Sequence, residues 1–141
     1  MVRSVIAIGF SSVLTAVPVA AASDVEAGAS QLPAIAEVTI IENAARSPAA
    51  SKSDESCTEF VLTKRDVLNF LTRADEISEH DYHHLLDWSP CYVAGKVKFR
   101  DGQTAMWGIH RYRGGSIKFK DGQTHYLTCP KCHAKAFSST R

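Results

Sequence analysis

The chain has 141 residues, with 16 Lys and Arg against 15 Asp and Glu, four Cys and 45% hydrophobic residues. That length fits one ordinary domain, and a formal charge of +1 speaks against a nucleic-acid binder, which needs a strongly basic balance. The charges are nonetheless segregated. Residues 23–90 hold thirteen acidic side chains against five basic, and residues 91–141 hold ten basic against two acidic. Either the halves complement each other on folding, or the basic half presents a face to an anionic partner.

In chain order, Met1, Val2 and Arg3 precede a mostly apolar run over residues 5–17, which ends in Pro18 and the small residues Val19, Ala20, Ala21 and Ala22. A positive start, an apolar middle and a small-residue end are the parts of a cleavable export signal over residues 1–22. Cleavage after Ala21 or Ala22 satisfies the small-residue requirement, and Ala22 is favoured. The apolar run is shorter than the roughly 20 residues that a bilayer core requires, so a retained anchor is the lesser reading. The product is expected to be exported, periplasmic or secreted, and not an integral membrane protein after cleavage.

Residues 23–56 are rich in Ala, Ser, Glu and Pro and poor in large apolar side chains, the composition of a flexible spacer. Within it, Val38, Ile40 and Ile41 suggest a short strand or a partner-binding segment. A small α+β domain is expected over residues 57–137, followed by a tail over residues 138–141.

Thr63 is a suitable N-cap, Asp66 stands three residues on, and Val67, Leu68, Leu71 and Ala74 recur at helical spacing, so a helix is predicted over residues 63–74. A second, short helix is predicted over residues 78–86, capped by Ser78 and stopping before Pro90. Beyond Cys91, Lys98-Phe99-Arg100-Asp101-Gly102-Gln103-Thr104 recurs as Lys118-Phe119-Lys120-Asp121-Gly122-Gln123-Thr124. Each copy places Asp-Gly between strand-like runs, the signal of a two-residue hairpin, and Gly114-Gly115 reads as a third turn. Strands are therefore predicted over residues 92–100, 103–111, 116–120 and 123–129. The expected fold class is α+β, with one or two N-terminal helices packed on one side of a four-stranded antiparallel β-meander.

Alternation sends Val93, Val97 and Phe99 to one face and Lys96, Lys98 and Arg100 to the other, with Ile117 and Phe119 likewise opposed to Lys118 and Lys120. Lys96, Lys98, Arg100, Lys118 and Lys120, with His110 near them, form a candidate binding face for an anionic protein or surface group. As a plain solvated face they would also discourage edge pairing. Cys57, Cys91, Cys129 and Cys132 read as disulfides in an exported chain. Of the three pairings the reading leans to Cys57 with Cys91 and Cys129 with Cys132, and a crossed pairing closing longer loops stays open.

Cys129-Pro130-Lys131-Cys132-His133 has the spacing that attaches c-type haem, with Met106 or another histidine as second axial ligand. Zinc held by Cys129, Cys132 and His133 is a second cofactor reading, and a redox-active disulfide a third. His80, His83 and His84 form a histidine-rich run in which, on a helix, His80 and either His83 or His84 would lie on one face, close enough to share a metal, although the metalloprotease order of Glu and His is absent. No nucleophile–base signature or phosphate loop is present. The sequence thus points to a small exported, disulfide-stapled binding protein without a cofactor, of an inhibitor or immunity kind, using the sheet face or the corner at residues 88–92. The alternative is a haem or zinc protein centred on the C-terminal cysteine motif.

Overall fold

A computed structural model describes residues 28–50 and 52–137; the predicted export signal over residues 1–22 and the predicted tail over residues 138–141 lie outside the described residues. In chain order the elements are β1 (Gly28–Ala29), β2 (Ile35–Arg46), a 3-10 turn (Pro48–Ala50), α1 (Lys64–Arg73), β3 (Asp75–Ile77), α2 (Glu79–His84), β4 (Cys91–Phe99), β5 (Thr104–His110), β6 (Gly114–Phe119) and β7 (Thr124–Thr128). All seven strands join one antiparallel sheet in the order β1-β3-β7-β6-β5-β4-β2. This corrects the expected fold class. The molecule is mostly β, a seven-stranded antiparallel sheet with only two small helices. The predicted four strands are its continuous centre, β4 to β7, and three further strands extend it on both sides.

The added strands have different causes. β2 lies within the stretch whose composition suggests a spacer, yet Val38 is buried opposite Val97, and Ile40 pairs with Gly95. Its pairing with β4 shifts register between Ile35 and Glu37, between Ile40 and Glu42, and between Glu42 and Ala45. Bulges of this kind break the two-residue alternation and twist an edge strand away from further pairing. The Asn43 side chain, inside the last shift, donates to the Leu62 carbonyl at 2.9 Å and accepts from the Leu62 amide at 3.1 Å, fastening the chain before α1 to the edge of the sheet.

The helices form where capping chemistry starts them. Thr63 accepts from the Asp66 amide at 3.1 Å while the Asp66 carboxylate accepts from the Thr63 amide at 2.9 Å, a complete capping box. Ser78 accepts from the Asp81 amide at 3.0 Å. The helices do not share a face as expected. α1 buries Val67, Phe70 and Leu71 on the inner face with Val93, Val97, Phe99, Trp107, Ile109, Ile117 and Leu127. Phe137, from the C-terminal segment, closes this core at 6.0 Å from the Phe60 ring and 6.1 Å from the Phe70 ring. α2 buries none of its residues completely and lies on the opposite, outer face, where the Tyr82 ring packs at a tilt against Tyr126 of β7, centroids 4.9 Å apart.

Both sequence repeats fold into the same turn, one residue longer than predicted. The Phe99 amide donates to the Gln103 carbonyl and the Phe119 amide to the Gln123 carbonyl, each at 2.9 Å. Asp101 and Asp121 accept from the Gln103 and Gln123 amides, also at 2.9 Å each. Within each of these two loops only the glycine takes positive φ, 89° at Gly102 and 91° at Gly122. The result is a three-residue hairpin loop ending in a left-handed glycine, rather than a type I′ turn with two such residues. The third turn also moves. The Arg113 amide donates to the His110 carbonyl, and Arg113 takes φ 62°, while Gly114 and Gly115 belong to β6. A Cβ on Gly114 would stand 2.1 Å from the His110 ring, so glycine serves close packing there rather than a bend.

Two disulfides join Cys57 to Cys91 and Cys129 to Cys132. The first ties the segment before α1 to the start of β4, and the second closes the turn after β7. Among the described residues, no helix is long and apolar enough to cross a membrane.

Candidate functional site

The outer face of the sheet is built by hairpin register. Lys96 pairs with Met106 and Met106 with Lys118, so these three side chains stand in one row across β4, β5 and β6. Lys98 pairs with Thr104 in the next row toward the hairpin tips, and Arg100 and Lys120 stand at the tips themselves. All five cations are exposed, as is Met106 at 48%. The next row inward carries small residues, Ala94, Gly108 and Ser116. Tyr126 of β7 ends that row beside Ser116, and with Tyr82 of α2 and His110 it covers the other end of the face, the Tyr82 ring lying 6.0 Å from His110.

None of the five cations forms an ion pair with another described residue. The acidic half does reach the basic half elsewhere: Arg111 contacts Glu55 at 2.6 Å and His125 contacts Glu76 at 2.7 Å. Glu37 of β2 lies in register with Lys98 without pairing to it, and Glu42 is engaged by the Tyr92 hydroxyl at 3.2 Å. The charge segregation visible in the chain therefore survives folding on this face. An open depression of about 460 Å³ lies here, lined by Lys96, Thr104, Ala105, Met106, Lys118, Phe119 and Lys120.

His110 is not part of the open face. It is 8% exposed beneath α2, its Nδ1 accepts from the Tyr112 amide at 3.2 Å, and burial pushes its pKa down to about 4. A neutral imidazole is the form such a site favours. Burial, followed by the neighbouring Tyr126, pushes the Tyr82 phenol up to about 12, so the covered end of the face carries no charge from either group at neutral pH.

The other sequence candidates lie at separate places in the fold. Cys129 and Cys132 are both 1% exposed and bonded to each other. Their sulfurs would have to be reduced before either could join haem or zinc. His133 is exposed beside them. On α2, the His80 and His84 rings face each other at 4.6 Å, whereas His83 turns away to pack on Tyr82 and Tyr126 at 5.2 Å and 5.4 Å. Among the described residues, no group of three or more His, Cys, Asp or Glu side chains is placed to hold a metal ion. At the corner over residues 88–92, Trp88 is 59% exposed while Ser89, Pro90 and Cys91 are buried. There Ser89 Oγ donates to Glu55 and accepts from the Cys91 amide.

One constellation escaped the sequence reading. Arg111 donates to Glu55 and to the Ser56 carbonyl at 2.7 Å, lies 5.9 Å from the Phe60 ring centroid, and forms one wall of a cleft of about 680 Å³ that also includes Lys135 and Phe137. Glu55 and Arg111 are 56 positions apart, and no local pattern joins them. With both Arg111 hydrogen bonds made inside the molecule, the residue fastens the segment around Cys57 and is a weaker binding candidate than the unpaired lysines. In comparison with known proteins, no family model, curated protein or solved structure matches the chain.

Proposed function

We propose that the protein is a small exported binding module that engages an anionic protein or surface group through the outer face of β4, β5 and β6. The observation that carries this reading is the cluster of Lys96, Lys98, Arg100, Lys118 and Lys120, all exposed and without an ion-pair partner among the described residues. Like charges gathered on one face without counter-ions repel one another, and an anionic partner relieves that repulsion while gaining steered association. The two disulfides suit an oxidising compartment, in line with export to a periplasm or beyond the cell. They hold a domain that docks through a rigid sheet, as an inhibitor or immunity-type partner of another exported protein would.

The test compares two triple variants of equal charge change. One carries Lys96→Glu, Lys98→Glu and Lys118→Glu; the control carries Lys64→Glu, Arg65→Glu and Lys135→Glu. On immobilised polyglutamate the sheet-face variant should elute at clearly lower salt than the control. Elution of both at the same salt would show that only net charge matters and would remove the basis for the reading.

A further inference from the structure

We infer that the depression bounded by Lys96, Lys118 and Lys120 is a site for one amphipathic anion of the alkyl phosphate class, with its head among the three ammonium groups and its hydrocarbon on Met106. The inference rests on the anion-binding reading above and names the ligand chemistry for that face.

Two features separate this spot from a merely basic surface. The first is the thioether at its centre. Cross-strand neighbours lie about 5 Å apart at Cβ, so the register of Lys96, Met106 and Lys118 sets two ammonium stems roughly 10 Å apart with an apolar side chain between them. Met106 is 48% exposed, and the lysine stems on either side add methylene surface. A polyanion has no use for that strip, but a hydrocarbon attached to an anionic head does. Methionine adapts its shape to such a chain without a strong conformational preference.

The second feature is the sign and size of the lining. Seven residues line the depression, three of them lysine, none of them acidic. The acids of the hairpin tips, Asp101 and Asp121, are turned to the Gln103 and Gln123 amides and do not enter the lining. The open depression, about 460 Å³ in volume, has room for a head group and a short chain of a single molecule. A phosphomonoester suits three point-like ammonium donors better than a neutral polar head would, since each ammonium supplies charge as well as hydrogen bonds.

The experiment is calorimetric titration of the disulfide-intact protein with octyl phosphate below its micelle concentration, and separately with inorganic phosphate. Covering about two methylenes corresponds to roughly a tenfold gain in affinity, so octyl phosphate should bind at least about tenfold more tightly than inorganic phosphate. Met106→Thr should remove most of that gain while leaving polyglutamate retention unchanged, and Lys96→Glu with Lys118→Glu should abolish binding of both phosphates. Equal affinity for octyl and inorganic phosphate, or a gain that survives Met106→Thr, would overturn the amphiphile site while the anion-binding reading stands. Polyglutamate retention indifferent to charge reversal on this face, with neither phosphate bound, would overturn both.

Discussion

Replacing Cys57 and Cys91 together by alanine should cost far more stability than replacing Cys129 and Cys132 together. The first bridge closes a separation of 34 residues and the second a separation of 3. In the chain-entropy account, these loops restrict the unfolded state by about 3.8 kcal/mol and about 1.6 kcal/mol respectively at 25 °C. All four cysteines are buried, at 7%, 0%, 1% and 1%, so the packing lost on truncation is similar in the two variants. The difference between them, about 2 kcal/mol, therefore isolates loop closure. With a urea slope of about 2 kcal/mol/M for a domain of this size, the midpoint should fall by roughly 2 M in the first variant and by less than about 1 M in the second. Urea unfolding followed by tryptophan fluorescence reads this directly, since Trp107 is buried at 2% in the core. Equal losses, or a larger loss at the C-terminal pair, would refute the reasoning. The second outcome would mean that Cys129 and Cys132 act by holding Phe137 against Phe60 and Phe70 rather than by closing a loop.

Three further perturbations probe the elements that frame the outer face. Burial lowers the His110 pKa to about 4 from an ordinary 6.5. Between those values the unfolded chain binds the extra proton and the fold does not, so this contribution to stability is complete above pH 6.5 and fades as pH falls toward 4, by about 3 kcal/mol; urea unfolding of wild type and His110→Gln at pH 7 and pH 4.5 should show the wild type losing more, and parallel losses would contradict the assignment. Asn43→Ala removes both bonds to the Leu62 backbone and should cost about 2 kcal/mol in a thermal melt, where a change below about 0.5 kcal/mol would show that the clamp contributes little. Gly114→Ala places a methyl 2.1 Å from the His110 ring and should cost about 1–3 kcal/mol, with loss of the Tyr82 packing readable in near-ultraviolet circular dichroism; an unchanged spectrum and melt would mean that the ring moves freely.

The parts of the fold that can be read in advance are those written in local chemistry. Thr63 with Asp66 and Ser78 with Asp81 mark helix starts within one turn of chain, and the repeated Asp-Gly segments mark hairpins whose register then dictates which side chains share a face. That register was enough to separate Lys96, Lys98 and Lys118 from Val97 and Phe99, and it also put Met106 between the lysines, although a methionine in a chain with a Cys-x-x-Cys-His motif reads first as a metal ligand. Pairings that depend on distant residues leave no such trace. β1 and β3 have two and three residues, too few for any periodicity, and β2 hides its alternation behind three register shifts. The position of α2 on the outer face turns on Tyr82 meeting Tyr126, two residues 44 apart whose contact no spacing rule anticipates. Gly114 and Gly115 look like a turn because neighbouring glycines usually relax the backbone, whereas here they make room for the His110 and Phe70 rings.

The central claim, that the five cations of β4, β6 and their hairpin tips act as one anion-binding surface, is tested most directly by amide chemical-shift mapping during titration with polyglutamate. The account predicts that shifts concentrate at residues 96, 98, 100, 118 and 120, and weaken as salt is raised. Shifts centred instead on Arg111 and Lys135, or spread evenly over every basic residue, would contradict it.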